Sequence, residues 1–127
     1  MNSASKKLYQ SWLILRITYG TLFILVGADK FFNLLTNWQQ FIGATTNHFL
    51  PIDPSLLLKL FGVIQIFAGL LLFTRWIRFG IYLILALLLI IFINLFSAPT
   101  SLLVIGHDLG MIAGIIVLWN LTEIVKN

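Results

Sequence analysis

Four stretches of mostly apolar residues, at 11–28, 55–73, 79–96 and 101–121, dominate this chain, and charge, proline or a polar cluster bounds each of them. A helix rises about 1.5 Å per residue, so runs of about 20 residues suffice to cross a hydrocarbon core about 30 Å thick. Of 127 residues, 60% are hydrophobic and only 9% charged, whereas soluble domains carry roughly a quarter charged residues. So small a domain leaves much of its surface outside the core, and these few charges could not cover it. The expectation is an all-α polytopic membrane protein, a four-transmembrane-helix bundle forming a single membrane domain over residues 1–127, with lipid as its solvent.

Lys6 and Lys7 ahead of an apolar run ending Val26-Gly27-Ala28 resemble a secretory signal with a small-residue cleavage site. Arg16 inside the apolar region counts against cleavage, and the first span is expected to stay. Lys6 and Lys7 precede it, Arg75 and Arg78 separate the second and third spans, and Lys126 follows the fourth. The bias of Lys and Arg toward the cytoplasmic side therefore predicts both termini inside, in a cell membrane such as a bacterial inner membrane. Trp12, Trp76 and Trp119 then fall near the cytoplasmic interface, where an amphipathic indole is stable.

Between the first two spans, Phe31, Leu34, Leu35, Trp38, Phe41 and Ile42 share one face at helical spacing. Asn33, Thr36, Asn37, Gln39 and Gln40 lie opposite, so residues 31–50 read as an external amphipathic helix over the bundle or at the lipid surface. Pro51 and Pro54 stop it and start the second span.

Ionisable groups within a span are costly and usually face the interior, which makes them candidates for function. In the first span Arg16, Gly20, Gly27 and Lys30 share a stripe about 80° wide at about 100° per residue. Lys59, Gly62, Gln65 and Gly69 form a stripe of about 120° in the second. These two faces are expected to meet, because glycine lets backbones approach closely. The fourth span carries Gly106, Gly110 and Gly114 at four-residue spacing, a further close-packing pattern, with His107 and Asp108 beside it. The third span offers only Asn94.

With the N-terminus inside, Asp29, Lys30, Lys59, Asn94, His107 and Asp108 lie in the outer half, Gln65 near mid-depth and Arg16 on the inner side. Apart from Asp29, these are the candidates for a polar pocket opening outward, suited to a quinone head group, a small anion or a proton path. The competing structural reading is a set of buried pairs, such as His107 or Lys59 with an aspartate, or snorkelling of Lys30 and Lys59 to the interface.

No cysteine is present, which excludes thiol chemistry by this chain. The only histidines are His48, in a loop, and His107, so no metal site is expected and no cofactor is evident beyond a possible quinone. Neither a Ser/His/Asp set nor a phosphate-cradling glycine loop is visible. The net charge of +4 is scattered rather than clustered, so nucleic acid is not an expected partner.

Leu15-Arg16-Ile17-Thr18-Tyr19-Gly20 and Gly27-Ala28-Asp29-Lys30-Phe31, together with Phe61-Gly62-Val63-Ile64-Gln65-Ile66-Phe67-Ala68-Gly69 and the following Arg75, resemble the DoxX-like family of small four-helix membrane proteins. The departure is Gln65, which stands where that family usually has glutamate. The resemblance implies association with membrane sulfur and quinone redox complexes. The chain is then expected to be a subunit of, or accessory to, a quinone-linked complex with a soluble oxidoreductase partner and no autonomous catalytic set. Two alternatives stand beside it: a small-solute or proton transporter working as a homo-oligomer, and a non-catalytic scaffold whose fourth-span glycines self-associate.

Overall fold

A computed structural model of the protein describes residues 2–42, 52–96 and 102–126. It contains α1 (Ser3–Phe32), α2 (Pro54–Leu71), α3 (Ile77–Leu95) and α4 (Leu102–Val125), with a 3₁₀ turn at Trp38–Phe41. All four α-helices are long and apolar enough to cross a membrane, as the four apolar stretches predicted.

α1 is longer than its apolar run. The Asn2 side chain caps it by accepting from Ser5 N at 2.7 Å, and it ends where Asn33 turns left-handed at φ 53° and donates its N–H to Asp29 O. Asparagine is among the few residues that adopt that conformation readily. Thirty residues span about 45 Å, so α1 exceeds the hydrocarbon thickness. α2 starts on Pro54 at its first position, with the Asp53 side chain accepting from Ser55 N at 3.2 Å. The role expected of Pro54 is therefore seen, while Pro51, His48 and the turn at 97–101 lie outside the described residues.

The amphipathic helix expected at 31–50 is corrected. Residues 31 and 32 finish α1, 33–37 are irregular and only Trp38–Phe41 makes a helical turn; residues 43–50 are outside the described part. The cause is the Asp29 carboxylate, which accepts from Leu34 N at 2.9 Å, from Leu35 N and from Trp38 Nε1 at 2.8 Å. Those bonds bend the chain back across the end of α1, whereas a helix would send the same donors along its own axis.

Each α-helix packs on its sequence neighbours, and α4 closes the ring against α1. The α1–α2 contact is the closest. A Cβ on Gly27 would sit 2.6 Å from Gly62 O, and one on Gly69 would sit 2.7 Å from Gly20 O, so backbone lies on backbone at both places. The two glycine stripes therefore meet as expected. Gly80, which pattern alone did not single out, does the same for α3, where a Cβ would lie 2.9 Å from Leu71 Cβ and 3.2 Å from Ala68 O. Between α1 and α4, Tyr19 Oη donates to Met111 O at 2.7 Å over Gly114, and Trp12 Nε1 donates to Thr122 Oγ1 at 3.0 Å. Ile77, Ile81, Ile84, Ile115 and Leu118 fill the α3–α4 side of the core.

Of the three fourth-span glycines expected to pack, only Gly114 does so within the chain. Gly106 and Gly110 have nothing within 4 Å among the described residues, because α4 turns that face away from α1 and α3. Gly27→Ala should therefore lower the thermal unfolding midpoint in detergent, by about 2 kcal/mol of stability, since the neighbour it strikes is backbone. Gly110→Ala should leave the midpoint unchanged.

Candidate functional site

Lys30, one turn from the end of α1, is 8% exposed although it carries a charge. Its Nζ donates to Gln65 Oε1 on α2 at 2.6 Å and lies 4.1 Å from the centroid of the Trp38 ring, with the Phe61 ring 5.8 Å away. The contact depends on the glycines: Gly27 against Gly62 brings α1 and α2 close enough for the lysine stem to lie along α2, where Lys30 Cβ would be 3.2 Å from a Cβ on Gly62. The Trp38 indole is held by Asp29 Oδ2, so the carboxylate that bends the loop also sets an aromatic face on the ammonium. Asp29 is spent on three donors of the loop and is not itself a pocket residue.

Beside this group opens a cavity of about 410 Å³ between α2, α3 and α4. Its walls are mainly leucine and isoleucine side chains; its aromatic surface is Trp38 and Phe61, and its polar lining is Lys30, Asn94, His107 and Asp108. Asp108 is 6% exposed, and its Oδ2 is buried without a hydrogen-bond partner among the described residues. His107 is exposed, on the rim.

Of the seven polar residues expected to form a pocket, four line this cavity, and Gln65 stands behind Lys30 as its acceptor. Two do not belong to it. Lys59 is exposed and points away, snorkelling being open to a long side chain one turn into α2. Arg16 sits at the opposite end, where its guanidinium donates to Leu72 O and to Thr74 O at 3.4 Å and stacks on Trp12 at 4.8 Å. Leu72 O caps α2 at the negative end of its dipole and Thr74 O lies in the turn just beyond, which gives Arg16 a packing role. The pairing of Lys59 or His107 with an aspartate does not occur among the described residues.

Sequence reasoning missed Asp29 and Trp38 as a unit. The available signal was an aspartate ahead of a helix-ending Asn33, with an indole donor nine residues on; the helical pattern placed Trp38 on an apolar face and obscured it.

Among the described residues no three His, Asp or Glu side chains come together as metal ligands. The arrangement offers no nucleophile with an adjacent base. What it can do is hold an amphiphile, with apolar walls for a tail or ring and a few polar groups to orient a head.

The DoxX family's sequence model matches residues 11–100, well over half of the chain. The chain belongs to the DoxX family. Comparison with curated proteins and with solved structures gives no significant match. This DoxX protein is thus a multi-pass membrane protein in which Arg16, Lys30, Lys59, Gln65 and Asn94 fall inside the family match, while His107 and Asp108, on α4, lie beyond it.

The glutamine has a measurable consequence in this DoxX bundle. Gln65→Leu leaves a buried ammonium without its acceptor and should cost about 2 kcal/mol in detergent unfolding, whereas Gln65→Glu puts a carboxylate in the same place and should be tolerated. Lys59→Leu, at an exposed site, should change little.

Proposed function

We propose that this DoxX protein is an accessory subunit of a quinone-linked membrane redox complex, in which its cavity receives the ring of a quinone and a soluble oxidoreductase docks on the bundle. The observation that carries the reading is the Lys30 ammonium, buried at the edge of an apolar cavity between two aromatic rings. A flat head group can lie along those rings while an oxygen accepts from Nζ, and its prenyl tail has apolar walls to follow. The family resemblance favours the same chemistry, and the lack of a nucleophile–base pair favours an accessory role. Lys6, Lys7, Arg75, Arg78 and Lys126 cluster at the Arg16 end, so the positive-inside rule would put that end in the cytoplasm and the cavity in the outer leaflet of a cell membrane. The test is gentle detergent extraction followed by organic extraction and chromatography of the purified protein. Quinone should co-purify with the native chain, along with an oxidoreductase, and Lys30→Leu should lower the retained quinone by about tenfold or more, as expected for loss of a charged hydrogen bond. A lone protein without quinone would count decisively against the reading.

A second reading, a self-associating scaffold, has its own observation in the open Gly106 and Gly110 surface of α4. It requires that Gly110→Leu shift the oligomer to a smaller species in sedimentation or native mass measurements; an unchanged size would remove it. A transport path through Arg16 has less support, since that guanidinium is engaged by α2 carbonyls at the end remote from the cavity.

A further inference from the structure

Two buried side chains of opposite charge line the same cavity without meeting. Lys30 from α1 and Asp108 from α4 are 8% and 6% exposed, and both line the space between α2, α3 and α4, yet they are not within the 4.0 Å of an ion pair. The ammonium is turned toward Gln65 and the Trp38 face, which leaves it donors to spare. On α4, Asp108 Oδ2 is sealed from solvent and accepts from nothing among the described residues. A buried carboxylate oxygen in that state is costly, and such groups normally have a donor.

The cavity is therefore polarised. An ammonium can only donate and an ionised carboxylate can only accept, so the complementary ligand has an acceptor at one end and a donor at the other. The Trp38 and Phe61 rings beside the ammonium, and the aliphatic side chains of the same lining, favour a flat apolar body, with Asn94 and His107 as the other polar groups. A fully oxidised quinone presents two carbonyl acceptors. One suits Lys30, but the other would face the carboxylate, acceptor against acceptor. The dihydroxy form has an O–H to give.

We infer that the cavity prefers the reduced, dihydroxy form of its ring-headed ligand, with one ring oxygen accepting from Lys30 Nζ and a ring hydroxyl donating to Asp108 Oδ2. The inference rests on the head-group reading of the cavity proposed above and adds the redox state that is held. It also gives a use to a charged residue on α4, outside the segment that matches the family.

The experiment titrates the purified full chain in detergent micelles, without oxygen, with a short-chain benzoquinone supplied either oxidised or reduced beforehand with borohydride. Quenching of Trp38 fluorescence reports binding, and Trp38→Phe supplies the blank for Trp12, Trp76 and Trp119. The reduced form should bind about tenfold more tightly, the range of one hydrogen bond to a charged group. Asp108→Leu should erase that preference while keeping affinity for the oxidised form; an apolar residue replacing a buried charge within a span does not threaten the fold. Asp108→Asn, whose amide can donate to a carbonyl, should turn the preference toward the oxidised form. Equal affinity for the two forms in the native chain, or a preference that survives Asp108→Leu, overturns the inference and leaves the head-group reading standing. Absence of binding by either form overturns both.

Discussion

The contact between the backbones of α1 and α2 is the constraint on which the rest of the bundle depends. Gly20 opposes Gly69 and Gly27 opposes Gly62, seven residues apart on each helix, so two close approaches separated by two turns lock a single register. Lipid tails are as apolar as leucine, so nothing like the hydrophobic effect in water drives these helices together; close packing and polar contacts must do so. The register has consequences at both ends. Near one it brings Arg16 under Leu72 O at the end of α2 and Thr74 O just beyond it, and near the other it lays Lys30 along α2 to reach Gln65.

The two ends handle charge differently. Arg16, half-buried, meets Leu72 O, one of the carbonyls a helix terminus leaves unpaired, so its placement and the capping of α2 solve each other. Lys30 has a neutral amide as hydrogen-bond acceptor and two aromatic faces beside it among the described residues. Its neighbour Asp29 supplies no ion pair, being committed to the loop that carries Trp38. A glutamate at the Gln65 position would neutralise the lysine directly; here that charge is absent, and an unsatisfied carboxylate, Asp108, stands on another wall of the cavity. A cation and an anion thus remain available within a mainly apolar space. Buried polar groups of this kind weaken a structure unless something completes them, which is why the cavity, and not the Arg16 end, is the region suited to a ligand.

Much of the fold was legible beforehand because it follows from local rules. Apolar length and punctuation located all four helices, and helical periodicity paired the glycine stripe of α1 with that of α2. The failures come from interactions that no window contains. The segment 31–50 has a helical pattern, yet one aspartate collects the loop's donors and bends it. Gly106, Gly110 and Gly114 are equivalent in sequence, but only Gly114 faces Tyr19. Arg16 and Lys30 lie on one stripe, and the length of α1 places them at opposite ends.

By itself, then, the sequence determined that the chain is four membrane helices, that α1 and α2 touch through glycine and that costly polar groups are present within the spans. Composition, length and period decide those matters, since lipid leaves a chain few ways to satisfy its backbone. Only the tertiary structure decided which polar groups share a cavity. That depends on the rotation of α4 about its axis and on the reach of single side chains across gaps of a few ångströms. Neither is encoded in any one helix; both are set by how the four helices pack together.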